Sequence, residues 1–274
     1  MRRTRARIAR ATEQAAVGKI SGAFGAFAHL DPSVEEAVCE RLGIGFEPVA
    51  SQVVQRDRHA AFVAALSITA STLEQIAVEF RHLARTEVRE VEEEFGKAQK
   101  GSSALPHKRT PWRCETVTGL SRVLPSHSQA AMENVALWHE RDISNSSVER
   151  VVLPDATTAL HFMLRRMAGL VASLRVFRDR VRANLELTQG LVFRGTLRLA
   201  LAEKGLTRED AYRLVQGHAM ETWEKGGDFR ERVLADGKIT EHLTKEEIDR
   251  AFSLDHALRH VDAIFERALA EDES

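Results

Sequence analysis

Apolar side chains in this chain recur at steps of three and four. Phe62, Leu66, Thr69, Leu73, Ile76, Phe80 and Leu83 form one such stripe, the spacing that lines one face of an α-helix. Asp57 opens that helix. Ala60, Ala61, Ala64, Ala65 and Ala70 fill the rest of its surface, and small residues let a neighbouring helix approach closely. Residues 112–137 predict a second long helix, bent near Pro125. Leu153, Leu160, Met163, Leu164, Met167, Leu170, Val171 and Leu174 predict a third, with Pro154 in or near its first turn and an end near residue 176. Proline is tolerated there because no amide bond is lost.

Shorter helices flank these. Residues 5–17 have helix-forming composition, and Gly18, Gly22 and Gly25 break the run. Asp31-Pro32 starts a short helix as an N-cap followed by proline, and Gly43 ends it. Val88, Val91 and Phe95 extend helical spacing through the charged residues 87–100, and residues 101–111 form a loop. Beyond Phe177 the predicted helices cover residues 182–204, 208–224, 229–235, 245–252 and 256–270. Thr207 and Thr244 are N-caps, each with an acid three residues on, and Thr244 with Glu247 has the capping-box pattern. Strand alternation and long repeats are absent from the pattern. The fold class is all-α, with a helical bundle over residues 1–180 and a small helical domain over residues 181–274.

Composition narrows the function classes. The net charge of −1 over 274 residues argues against a general nucleic-acid binder. The arginines within residues 2–10 suit a solvated helix face better than a nucleic-acid contact. Eighteen consecutive apolar residues occur nowhere, so no membrane span is expected. Cys39 and Cys114 lie too far apart for a CxxC metal pair and make no disulfide framework. Together these predict a soluble, cytoplasmic protein of a reducing compartment. His256 and His260 have the four-residue spacing of a metal pair, but no third ligand is suggested.

Three segments carry candidate chemistry. In Gly101-Ser102-Ser103-Ala104-Leu105-Pro106-His107-Lys108-Arg109-Thr110-Pro111, backbone amides and three basic side chains can face one anion. Composition alone suits a plain helix connector better. Arg141, Ser146 and Arg150 can converge on a phosphate if a turn separates them, or act as a capping loop with solvated arginines. Ser51–His59 is polar and sits at a helix entrance.

The first of these segments resembles the GSSxMPxKxNP signature of the fumarase/aspartase superfamily. Its neighbours are similar to adenylosuccinate lyases: VGKISGAFG, QRDRH and REVEEEFGKAQKGSSALPHKR, then LWHERDISNSSVERVVLPDAT and LTREDAYRLVQGHAMETWE. These motifs run in family order to the C-terminus. A sister lyase of the superfamily is the nearest rival, and QRDRH and WHERDIS weigh against it. The resemblance implies β-elimination of fumarate from adenylosuccinate and from the succinylated aminoimidazole carboxamide ribotide. It implies no metal or organic cofactor, an all-α homotetramer, and active sites assembled from three subunits. It makes Ser102 the base and Ser103 and Lys108 substrate contacts. Glu115 matches an active-site glutamate, Gln52 a substrate-binding glutamine, and Arg141, Ser146 and Arg150 the set that holds the nucleotide. His107 receives no catalytic role.

Departures accompany the match. Thr110 stands where the signature has Asn, whose carboxamide reaches further than a hydroxyl and both donates and accepts. Leu105 replaces Met, Val53 replaces Thr, and Trp112-Arg113-Cys114 replaces smaller residues at the loop-to-helix joint. The match covers the C-terminal two-thirds of the family pattern. Left out are a first domain, the first bundle helix and a histidine assigned as general acid. From this we expect little or no lyase activity in the isolated chain, and a missing N-terminal half or a homo-oligomer as its partner. A non-catalytic helical interaction module is the alternative.

Overall fold

The computed structural model describes residues 1–94, 110–139 and 141–270. Two compact units divide the chain, Met1–Phe177 and Arg178–Ser274.

The first unit is a helical bundle. Its helices are α1 (Arg2–Ala15), α2 (Pro32–Leu42), α3 (Asp57–Ala84), α4 (Trp112–Ser121), α5 (Val123–Glu133) and α6 (Ser144–Ala172). Helix α3 is central, touching α1, α4, α5 and α6. Val63, Leu66, Leu73 and Ala77 of α3 meet Val117 of α4, Leu124 of α5 and Leu160, Met163 and Leu170 of α6 in one core. By length and apolar composition alone α3 could cross a membrane. Here that apolar surface closes the core, each buried Leu contributing about 2 kcal/mol.

Two strand pairs close the ends of this unit, each strand two residues long. β1 (Val17–Gly18) runs parallel to β2 (Gly45–Phe46), and β3 (Val91–Glu92) pairs antiparallel with β4 (Arg175–Val176). Strands this short leave no alternation to read. The expected helix through Val88 and Val91 is therefore corrected to a turn and a strand. Helix α3 stops at Ala84 because Arg85 is extended, and Arg89 turns the chain with φ 56°. Phe95 lies outside the described residues.

Prolines act differently in the other two long helices. Residues 112–137 split into α4 and α5 at Arg122. Pro125 has no amide to offer the carbonyl of Ser121, four residues back, so the break falls one turn before it. Pro154 lies inside α6, not in its first turn. The helix begins earlier, at Ser144, because Asp142 accepts from the backbone amide of Ser144 at 2.7 Å and starts it. That capping also holds the Asp142 carboxyl below its usual range, chiefly through the Ser144 hydroxyl.

The second unit contains α7 (Arg178–Glu186), a 3-10 turn (Leu191–Phe193), α8 (Arg194–Glu203), α9 (Arg208–Lys225), α10 (Phe229–Ala235), α11 (Gly237–Thr240), α12 (Lys245–Ala251), α13 (Leu254–Leu258) and α14 (Val261–Leu269). Leu197, Leu201, Val215, Phe229, Val233, Ile239 and Ile248 form its core. Thr207 caps α9 and Thr244 with Glu247 makes the capping box. The single helix expected over 182–204 is interrupted where Gln189 and Gly190 adopt positive φ. The helix expected over 256–270 breaks between Leu258 and Val261. His256 and His260 therefore do not share a continuous helical face. Among the described residues no three His, Cys, Asp or Glu side chains converge as a metal site.

Candidate active site

Those site residues read from the sequence that the structure describes fall at two ends of α3. At its N-terminal end, Gln52 accepts a hydrogen bond from Arg141 Nη1 at 3.3 Å, joining segments 89 residues apart. Lys19 Nζ donates to the carbonyl oxygen of Gln52 at 2.9 Å. Burial lowers the Lys19 pKa, against the opposing pull of Glu35.

Beside this contact is a hollow of about 280 Å³ lined by Val53, Arg56, Arg141, Asn145, Ser146, Glu149 and Arg150. Ser146, Glu149 and Arg150 lie on α6 at steps of three, one and four, so the first two turns of that helix present them to one side. Arg56 and Glu149 meet at 2.9 Å with both side chains mostly buried. This pair fixes the start of α6 against the start of α3. Three arginines around one carboxylate leave a cationic hollow, suited to a phosphate by charge and by guanidinium geometry. His59, one turn along α3 from Arg56, has its pKa lowered by burial first and by Arg56 second. An imidazole there favours its neutral form.

At the C-terminal end of α3, Thr110, Pro111 and Glu115 line a wider hollow of about 1030 Å³ with Arg81, His82, Arg85, Arg89 and Glu92. Glu115 sits in the first turn of α4. The start of α4 is held from three directions. The buried carboxylate of Glu93 accepts from the backbone amides of Arg113 at 3.2 Å and Cys114 at 3.0 Å. The Arg166 guanidinium lies over the Trp112 ring at 4.7 Å. Cys114 is fully buried in the bundle core, where burial first, and Glu93 second, push its thiol pKa up. The three residues that depart from the signature thus anchor the joint to α6 and to the core.

Helix α3 has 28 residues, so at ~1.5 Å per residue its two ends are about 40 Å apart. One copy of the chain therefore brings Gln52, Arg141, Ser146 and Arg150 together, and separately Thr110 with Glu115. It does not bring the two groups together. Ser102, Ser103, His107 and Lys108 lie outside the described residues. Sequence reading missed Arg56, Glu149, Glu93, Arg81 and Arg85. Arg56 stands within the QRDRH motif and Glu149 directly before Arg150, so both carried a signal. Arg81 and Arg85 carried only a four-residue helical spacing, common on any solvated face.

Comparison with known proteins follows this geometry. The family model described as Lyase matches residues 1–125, and the one described as Adenylosuccinate lyase C-terminus matches residues 190–268. Adenylosuccinate lyases of Thermotoga maritima and Bacillus subtilis are each 50% identical over 267 residues, 97% of this chain. The chain belongs to the adenylosuccinate lyase family. It spans 62% of the length of both relatives. Among solved structures, a 3-carboxy-cis,cis-muconate lactonizing enzyme from Pseudomonas putida superposes with a TM-score of 0.86 at 28% identity, over 97% of this chain and 60% of that one. A fumarate lyase from Mesorhizobium has the same fold, with a TM-score of 0.86 at 22% identity and the same coverage. The adenylosuccinate lyase assignment fits the all-α bundle and the cationic hollow at Arg141, Ser146 and Arg150.

Proposed function

We propose that this chain contributes to adenylosuccinate lyase chemistry, the β-elimination of fumarate from adenylosuccinate and from the succinylated aminoimidazole carboxamide ribotide. The observation that carries the reading is the hollow in which Arg141, Ser146 and Arg150 converge beside Gln52 and Arg56. It supports binding of the nucleotide phosphate there. Ser102 takes the proton from the carbon beside the succinyl carboxylate. The electron pair spreads onto that carboxylate, where fixed cations such as Lys108 stabilise it. The carbon–nitrogen bond then breaks, fumarate leaves and the nitrogen takes a proton. Ser103, Thr110 and Glu115 border the succinyl end. A serine base needs amides and cations that favour its alkoxide.

The separation of the two residue groups supports a site shared between copies in a homo-oligomer, tetrameric as in the family. The buried free cysteines, Cys39 and Cys114, suit a cytoplasmic location.

The test is fumarate release from adenylosuccinate. The chain is assayed alone and together with the part of the Bacillus subtilis relative that it does not span. Release that appears on co-expression supports the proposal. A stable complex without release sinks it in favour of a non-catalytic helical module.

A further inference from the structure

The second unit has a groove that the lyase reading does not use. Helices α8 and α9 run side by side, joined by a short turn. Between them lies a hollow of about 490 Å³, where Val192, Val215, Ala219 and Met220 give apolar surface and Arg194 and Gln216 add polar groups. A second hollow of about 440 Å³ adjoins it, lined by Arg198, Arg208, Glu209, Tyr212 and Arg213. Arg198 and Tyr212 border both, so the two form one groove with unlike ends.

The charged end is short of counter-charge. Arg213 is paired with Asp210 at 2.9 Å, and Arg194 donates to the carbonyl of Leu191 at 3.2 Å. Among the described residues, Arg198 and Arg208 pair with no acidic side chain. Among the described residues, Glu209 is the one carboxylate lining that end. The other end has valine and alanine for a floor, with a thioether and the Gln216 amide beside it. Tyr212 stands between the ends with about half its surface exposed. Gly195 leaves the floor open, since a β-carbon there would meet no atom within 4 Å.

We propose that this groove is a binding site for a nucleoside monophosphate. The phosphate lies against Arg198 and Arg208, and the base lies over the apolar floor with Tyr212 at its face and the Gln216 amide at its edge. A free guanidinium pair suits a phosphate dianion. Aromatic and thioether surface suits a flat ring. The volume lies within the range of pockets that hold small organic ligands. The site is on a different unit from the Arg141 hollow and does not depend on its function.

The experiment is calorimetric titration of AMP into the full 274-residue chain carrying Arg150→Ala. That background removes an arginine from the bundle hollow. In the same background, Gly195→Leu fills the floor, and Arg198→Ala with Arg208→Ala removes the free cations. The expected result is AMP binding that each change weakens by about tenfold or more, the double variant through lost charged hydrogen bonds and Gly195→Leu by occupying the floor. Inorganic phosphate should bind more weakly than AMP by a similar factor. Absence of AMP binding in the Arg150→Ala chain would overturn the proposal. So would binding indifferent to both changes, or phosphate binding as tight as AMP. The arginines are exposed, so the double variant carries the test if Gly195→Leu disturbs the fold.

Discussion

Glu93 and Cys114 are joined by a hydrogen bond from the Cys114 backbone amide to Glu93 Oε1 at 3.0 Å, both side chains being buried. Between them in sequence lies the serine-bearing signature. This one carboxylate caps the helix that carries Glu115, and it ties the end of the signature to the strand before it. Removing it leaves two amides at a helix N-terminus without their acceptor. We expect Glu93→Ala to destabilise the first unit by about 2–3 kcal/mol, with Glu93→Gln less severe because an amide oxygen still accepts. Urea unfolding measures this. An unchanged midpoint for Glu93→Ala would remove Glu93 from the support of the site.

Gly25 makes a second support. Its φ is +73°, and a β-carbon there would lie 1.7 Å from the carbonyl oxygen of Ala50, two residues before Gln52. The 20s loop thus rests on the Gln52 segment, with Lys19 bonded to the Gln52 carbonyl from the same side. Gly25→Ala should cost more than about 2 kcal/mol in stability, since the backbone carbonyl cannot yield as a flexible side chain would. A thermal melt of the variant beside the parent checks it, and a midpoint within error of the parent is the contrary result.

Arg150 is expected to act in binding more than in chemistry. In the complemented enzyme, Arg150→Ala should raise KM for adenylosuccinate by about ten- to hundredfold, through loss of a charged contact to phosphate, while kcat falls much less. Steady-state kinetics separate the two. A fall in kcat alone would place Arg150 elsewhere.

The 40 Å separation along α3 leads to a mixing experiment. In the complemented enzyme at substrate well below KM, Arg150→Ala assemblies should lose about ten- to hundredfold in rate and Glu115→Gln assemblies should be nearly inactive. Co-assembled, they should recover activity, because some sites then draw an intact group from each kind of chain. If mixing restores nothing although mixed oligomers form by mass spectrometry, the two groups do not serve one site.

His59 carries a pH signature. Its pKa is lowered in the folded chain by burial and then by Arg56, while the unfolded chain keeps a value near 6.5. Below that value the unfolded state binds the proton more readily, so folding stability falls as pH drops. The penalty is absent above about pH 7 and complete once the folded pKa has been passed. Between pH 7 and pH 5 the parent chain should lose more stability than His59→Gln. Equal losses across that range by urea unfolding at each pH would count against this.

Much of the fold was readable in advance where one helix face repeats for many residues. Helix α3 and its core residues Leu66 and Leu73 came from spacing alone, because a long stripe averages out single exceptions. The caps at Asp31, Thr207 and Thr244 were readable because a side-chain oxygen and its amide lie within three residues of each other. Misreadings clustered where a distant partner decides. Val88 and Val91 have helical spacing, yet Val91 pairs with Val176 on the far side of α6. Pattern puts Pro154 in or near a first turn, yet the helix starts ten residues earlier at Ser144, where Asp142 accepts from the Ser144 amide.

The candidate site divides in the same way. The resemblance to adenylosuccinate lyases pointed to Gln52, Thr110, Glu115, Arg141, Ser146 and Arg150, and residue chemistry alone offered only the arginines and hydroxyls of the last three as a phosphate site. Local pattern also established an all-α chain. Spacing says nothing of which donors meet across 89 residues, as Gln52 and Arg141 do. Only the packing of α6 against α3 made the arginine hollow, and only the length of α3 put Thr110 and Glu115 at its opposite end. A helix is a local object, closed by hydrogen bonds four residues apart. A site is made by side chains from distant segments, and their meeting depends on how the helices pack.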